Sequence, residues 1–419
     1  MAEATKRRGR PVGSTNKIKP TGGLFVTNFE KHNEGSPFTH DSSMGWVKWG
    51  LKNDYPQLLL NLYNESPTHR ASINFETQSI VGGGVDYDAM AVDKTQIVPN
   101  YQYDWNYLLR SIAIDYSLYG SYAIQIILNK DRKTYSFYHI PLEKVRWSPY
   151  DEDGVVTSYW ICNDWSSQSM NPPIELPAFD MREEQTIEYG QPYLYVFRPY
   201  SPTMEYYTSP HYTAGIKAIQ SEIEFVNYDL KHIVNGFSAS GVLTLPNVET
   251  DEEKKAIINN IQRMFTGSDN TNQMAITFRT NIEDKPVEFT PFSDKGSNVD
   301  MYNGSNDRCI NRILAAHQIP SPMLIGMPES SKSGFSSDAD KIETAYQLYE
   351  RLTGNYHRQC VIQTFNQMLK MNGVEVELIV KPLRFNDFGG EDDKSDATEG
   401  KETNQNISTG NIEEKVEEK

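Results

Sequence analysis

The sequence predicts an α+β protein, and three observations carry that prediction. Apolar residues recur at spacings of three and four through residues 54–119, then alternate with period two through 121–200, so helices come first and strands follow. One apolar stripe with helical spacing runs without a break from Ile216 to Phe237. Pro320 and Pro322 then stop a helix, and a serine-rich stretch separates it from a second long helical pattern.

Each element has its own signal. Asp54-Tyr55-Pro56 opens the first helix, with Leu58, Leu59 and Leu62 on one face. Ser66 caps a second, with Pro67 at the first helical position, and Gly82-Gly83-Gly84 ends it. Leu108, Ile112, Tyr116 and Tyr119 mark a third, stopped by Gly120. Strands are expected over 121–128, 134–140, 144–147, 155–162 and 193–200; the proline- and acid-rich 163–190 reads as loop. Ser209-Pro210 begins the long helix, whose charged residues Glu222, Glu224, Asp229 and Lys231 sit off the stripe. At about 25 residues it would span about 37 Å. A short β–α–β-like unit comes next: a strand over 241–245, a helix with Thr250 and Glu253 as capping box, and strands over 273–278 and 286–292. A helix over 299–318 carries Ile310, Ile313 and Leu314, a loop follows, and a helix runs from 338 to 371. Residues 374–385 read as a final strand.

The chain of 419 residues is long enough for two or three cores, yet only 38% of it is apolar. That balance suggests disordered ends or a protomer that completes its burial by assembly. The net charge of −16 is uneven: residues 1–20 hold six Lys/Arg against one Glu, and 386–419 hold eleven Asp/Glu against four Lys. The first 40 residues therefore read as a disordered basic arm and the last 34 as a disordered acidic tail. An acidic body of this kind is no conventional DNA binder; nucleic acid can be its cargo only if it slides past. No apolar run approaches a membrane span, and no signal peptide is seen. Cys162, Cys309 and Cys360 have no paired spacing and read as reduced, buried thiols.

Motifs for chemistry are missing. There is no GxxxxGK[ST], GxSxG, HExxH or CxxC, so neither an ATP-driven motor nor a familiar hydrolase is expected, and no cofactor is implied. Cys309, His317, Cys360 and His357 could meet if their helices pack, but no local ligand pair supports a metal site, and none is expected. In the arm, Arg8-Gly9-Arg10-Pro11 resembles the core of an AT-hook, which would make Arg7, Arg8 and Arg10 minor-groove contacts. The blander reading is a basic arm with generic phosphate affinity.

Four segments in order, YGSYAIQII (119–127), Ser209-Pro210, FSASGVLTL (237–245) and IPSPMLIG (319–326), resemble the portal proteins of tailed bacteriophages, in particular the long-tailed phage portal family. The resemblance spans about residues 45–385. It implies a portal-like protomer: a wing over 41–208, a stem helix over 209–240, a clip over 241–295, and a second stem helix over 296–318. A tunnel loop over 319–337 and a wing long helix with terminal strand over 338–385 complete it. Larger members continue into a helical crown, whereas this sequence turns acidic and polar. The implied function is a ring, usually of twelve copies, at one capsid vertex of the virion, assembled in the host cytoplasm. Double-stranded DNA would be packaged, retained and ejected through it. Implied partners are terminase, major capsid protein, a head–tail adaptor and a scaffold, with no membrane. In the tunnel loop, Ser330, Ser331, Lys332 and Ser333 would face the DNA. Two other readings stay open: an architectural DNA-binding protein using the arm, and an enzyme with a dispersed site.

Overall fold

A computed structural model describes residues 45–95, 97–181, 187–202, 205–235, 241–245, 250, 252–257, 274–278, 288–291, 297–328 and 339–383. The expected arm and acidic tail lie outside them.

The fold is α+β. Helices α1 (Tyr55–Glu65), α2 (Pro67–Val81) and α3 (Trp105–Tyr119) come first. Local chemistry sets their ends: the Ser66 hydroxyl accepts the His69 N–H at 3.1 Å, Asp104 accepts the Tyr107 N–H at 2.9 Å, and Gly120 turns left-handed at φ 73°. β1 (Tyr122–Leu128) then pairs antiparallel with β2 (Tyr135–Ile140) on one side and β6 (Pro192–Phe197) on the other. A second antiparallel sheet holds β3 (Val145–Trp147), β4 (Ser158–Ile161) and β5 (Ile174–Pro177) in that order. β5 falls where the sequence reads as loop. Ile174 and Glu175 are exposed and only Leu176 is buried, so this edge strand rests on its ladder to β4 and carries no alternation to read.

Two cores flank α3. In one, Trp49 stacks on Tyr207 at 4.4 Å and 10°, and Trp147 meets Trp49 edge-on at 5.8 Å, while the Tyr207 hydroxyl donates to the Val47 carbonyl at 2.5 Å. Arg146 is buried beside them with carbonyl partners: its guanidinium donates to Glu143 O at 2.9 Å, Val145 O at 2.8 Å and Asn53 O at 3.0 Å. Burial pushes its pKa down to about 10. In the other core, Trp105, Leu108 and Ile112 meet Ile124 and Ile126 of β1 and Val361, Phe365 and Met368 of a later helix. The Tyr122 hydroxyl reaches that helix at Thr364 Oγ1, 2.7 Å.

α4 (Ile216–Asn235) follows a 3-10 turn over Thr213–Gly215 and, at 1.5 Å per residue, spans about 30 Å. Next come β7 (Gly241–Leu245), β8 (Met274–Phe278) and β9 (Glu288–Pro291), ordered β8-β7-β9, with β7 parallel to β8 and antiparallel to β9. The Glu253 N–H reaches the Thr250 hydroxyl at 3.4 Å, one half of the expected capping box, ahead of helical residues 252–257. α5 (Ser297–Ala316) returns alongside α4. The two run antiparallel, because a Cβ added at Gly215, just before α4, would stand 2.5 Å from Cβ of Ala316 at the end of α5.

The long helix expected over 338–371 is interrupted. α6 (Ala339–Tyr349) and α7 (Asn355–Met371) are joined by a π turn over Glu350–Gly354. Residues 374–383 form no ladder strand. They make one antiparallel bridge, Val85 to Val380, with Gly83 N to Lys381 O at 2.7 Å and Lys381 N to Gly84 O at 2.8 Å. Gly82 admits this approach: its φ is 57°, and a Cβ there would fall 2.3 Å from Lys381 O. Cys162, Cys309 and Cys360 are free and buried. Among the described residues no helix is long and apolar enough to cross a membrane.

Candidate functional site

The serines and lysine of the proposed tunnel loop, Ser330, Ser331, Lys332 and Ser333, lie outside the described residues, as do Arg7, Arg8 and Arg10 of the arm. The structure does describe the two roots of that loop and what anchors them.

α5 ends because Pro320 and Pro322 have no N–H to continue it. Gln318 takes φ 55°, and the Ile319 N–H closes back on Leu314 O at 2.9 Å. The Ser321 hydroxyl then caps a 3-10 turn over Pro322–Ile325, accepting the Met323 N–H at 3.3 Å, and Gly326 ends it at φ 81°. The Thr353 hydroxyl, in the π turn, donates to the Gln318 side-chain oxygen at 2.6 Å, tying the outgoing root to the helix that follows the loop. Pro320, Ser321, Met323, Asp340, Lys341, Thr344, Ala345 and Leu348 line an open cleft of about 430 Å³ between the two roots.

Directly behind the end of α5 lies a buried histidine cluster. His317 is fully buried and offers Nδ1 to Glu76 Oε1 at 2.8 Å. His211, ahead of α4, offers Nε2 to the same oxygen at 2.8 Å. His69 Nδ1 stands 2.9 Å from His317 Nε2. Tyr212 stacks on His317 at 4.9 Å and 17°, and the His357 ring from α7 lies 4.9 Å from that of His211. Burial would raise the Glu76 pKa, but the charges and hydrogen bonds of His211 and His317 outweigh it and hold the carboxyl well below the ordinary range. Burial depresses His69 and His317, and takes His357 down to about 4. Glu76 is therefore held as a carboxylate, while burial favours the neutral ring at His69, His317 and His357. One proton assignment fits the bonds: His69 Nδ1–H donates to His317 Nε2, and His317 Nδ1–H donates to Glu76.

A second polar anchor sits nearby. Glu222 of α4 lies off the apolar stripe yet is only 5% exposed, because the Ser66 and Thr68 hydroxyls at the start of α2 both donate to its carboxylate.

The sequence expectation grouped His317 and His357 with Cys309 and Cys360. The structure instead brings His317 to Glu76, His69 and His211, on elements up to 248 residues apart. Glu76 and His69 belong to α2, whose buried set also includes Thr68, Ser72, Thr77 and Ser79, a polar interior face that gives no apolar stripe to read.

No family model matches the chain, and no curated protein sequence does. Among solved structures, it is similar to a chain of the virion of a native gene transfer agent particle, with 16% identity over 78% of this chain and 83% of that one and a TM-score of 0.49. It is also similar to a chain of the neck of the empty gene transfer agent particle computed with C6 symmetry, with 16% identity, 80% and 85% coverage and a TM-score of 0.49. A third is an HK97 family phage portal protein from Corynebacterium diphtheriae, at 11% identity, 77% and 95% coverage and a TM-score of 0.43.

Proposed function

We propose that the chain is a structural, non-enzymatic portal subunit of a tailed phage. Copies close into a ring at one capsid vertex, and double-stranded DNA passes through it during packaging, retention and ejection. The surface of α4 carries this reading. Ile216, Ile219 and Ile223 are 0%, 0% and 9% exposed, whereas Val226 and Leu230, further along the same stripe, are 49% and 56% exposed. The stripe continues after its cover among the described residues has stopped. Leu348, Leu352 and Tyr356 make a second uncovered strip at spacing four, 47%, 66% and 60% exposed. Two such strips on different helices suit head-to-tail contacts, which close into a ring when the rotation allows.

In that ring, α4 and α5 are the stem, β7 to β9 the clip, and residues 319–337 the tunnel loop. Lys332 would supply one cation per copy and Ser330, Ser331 and Ser333 short polar groups, while the acidic body repels phosphate and keeps the cargo moving. Twelve copies, docking of terminase and a head–tail adaptor, and contact with major capsid protein and scaffold complete the reading. The test is electron microscopy and mass measurement of purified, full-length protein, alone and with scaffold and capsid protein. Rings with a central hole are expected. A monomer at micromolar concentration in both settings overturns the proposal.

A further inference from the structure

The geometry points to a site for a divalent transition-metal ion of the zinc class, held by Glu76, His211 and His317, that staples α2, the approach to α4 and the end of α5 together. One ligand atom from each of the three residues falls within 4.8 Å of the others. Glu76 and His317 have fully buried side chains and His211 is 19% exposed, so the group is sealed except at one edge. Two imidazoles and one carboxylate are a common donor set for zinc and related ions. Calcium and magnesium, which take oxygen ligands, do not fit it.

A second observation is independent of those three contacts. Glu76 Oε2 and His69 Nε2 are buried with no hydrogen-bond partner among the described residues, and so is Nδ1 of His357, whose ring packs against His211. Buried polar atoms are normally paired, and here three without partners sit in one cluster. A cation would give the spare carboxylate oxygen its counter-charge.

Binding the ion requires the ligands to shift and their protons to move. The present 2.8 Å contacts are hydrogen bonds, whereas ligand atoms about 2.0–2.1 Å from a tetrahedral ion stand about 3.3 Å apart. Each histidine nitrogen must retreat from Glu76 Oε1 by about half an ångström, and the two nitrogens, which lie within 4.8 Å of each other, must settle at about the same 3.3 Å. For His317 to ligate through Nδ1, its proton moves to Nε2 and is donated to His69 Nδ1, and the His69 proton shifts to Nε2. No proton is lost from that pair; both rings switch from the Nδ1–H to the Nε2–H tautomer, and His211, which ligates through Nε2, must carry its proton on Nδ1. His69 is then the positioning residue behind a ligand.

The test uses untagged, full-length protein purified without chelator. Elemental analysis should find about one zinc per chain, and cobalt(II) added to stripped protein should give the visible absorption of a tetrahedral site. Zinc should raise the thermal midpoint and EDTA should lower it. His211→Ala should weaken zinc binding at least about tenfold while keeping the folded circular-dichroism spectrum. If that variant fails to fold, the zinc content and cobalt spectrum of the unaltered chain decide. Folded protein that retains no zinc, gives no tetrahedral cobalt spectrum and melts identically with zinc or EDTA overturns the site. Metal is scored per chain in monomer and ring fractions alike, so the outcome is separate from that of ring formation.

Discussion

Arg358 grips both oxygens of Glu350, Nη1 to Oε2 at 2.8 Å and Nη2 to Oε1 at 2.7 Å, and the same guanidinium holds the Ser79 carbonyl at 2.6 Å. One side chain thus fastens α7 to both the π turn and the last turn of α2. A planar fork can do this and an ammonium cannot. Arg358→Ala should cost about 2–3 kcal/mol of unfolding free energy, and Arg358→Lys should recover only part of it. Urea melts of the three proteins measure this; a lysine variant as stable as the parent would show that charge alone suffices.

The same pair sets an acid limit. Burial pushes the Glu350 pKa up, but the hydrogen bonds from Arg358 outweigh it and bring it below the ordinary 4.5. A carboxyl depressed in the folded state stabilises above its unfolded pKa, and that contribution fades as pH falls through the folded one. Stability should therefore drop below about pH 4.5, and Arg358→Ala should flatten that part of the profile.

His139 acts in the opposite direction. Burial disfavours its charge, yet the Asp115 carboxylate 2.8 Å away prevails and lifts its pKa above 6.5. Its contribution is full below pH 6.5 and is lost as pH rises through the raised value. His139→Gln should reduce the slope of thermal midpoint against pH above 6.5; an unaltered slope would remove His139 from the account.

Gly215→Ala should destabilise by about 1–3 kcal/mol, since its new Cβ meets that of Ala316 at 2.5 Å and the α4–α5 pair must part to admit it. A scan in which this variant melts with the parent would mean the pair yields more easily than its packing suggests.

Replacing Val226 and Leu230 with glutamate should leave the protomer folded, since both are about half exposed, and abolish rings. Circular dichroism and mass measurement together check both halves. Rings that persist would place the contact elsewhere.

Shortening the loop between residues 329 and 338 should leave rings intact while impairing genome packaging or retention. Infectious particles formed at parental yield would refute a channel role for that segment.

Much of the fold was legible because α1, α3, α4 and the strands of the first sheet each bury one face, which leaves a period in the sequence. α2 was found by its cap and its terminal glycines, Ser66 and Gly82, since its interior face is polar. β5 and residues 374–383 were misread: β5 shows no alternation and rests on its ladder to β4, and 374–383 depends on a partner far along the chain. The π turn left no mark, because Arg358 and Glu350 are ordinary helix formers until Ser79 is brought beside them. The histidine cluster was hidden for the same reason, its members being drawn from α2, the approach to α4 and the end of α5.

The chain goes out to its small third sheet along α4 and comes back along α5, and these two helices lie side by side. The described strands between Asn235 and Ser297 are thus reached through one doorway with two jambs. Among the described residues, neither of the two main cores draws a member from between Ile223 and Ile313. Two splice points would be enough to exchange that segment as a cassette. A lineage could trade this part of the protein for a stranger's, and refit what docks there, while both cores are inherited untouched.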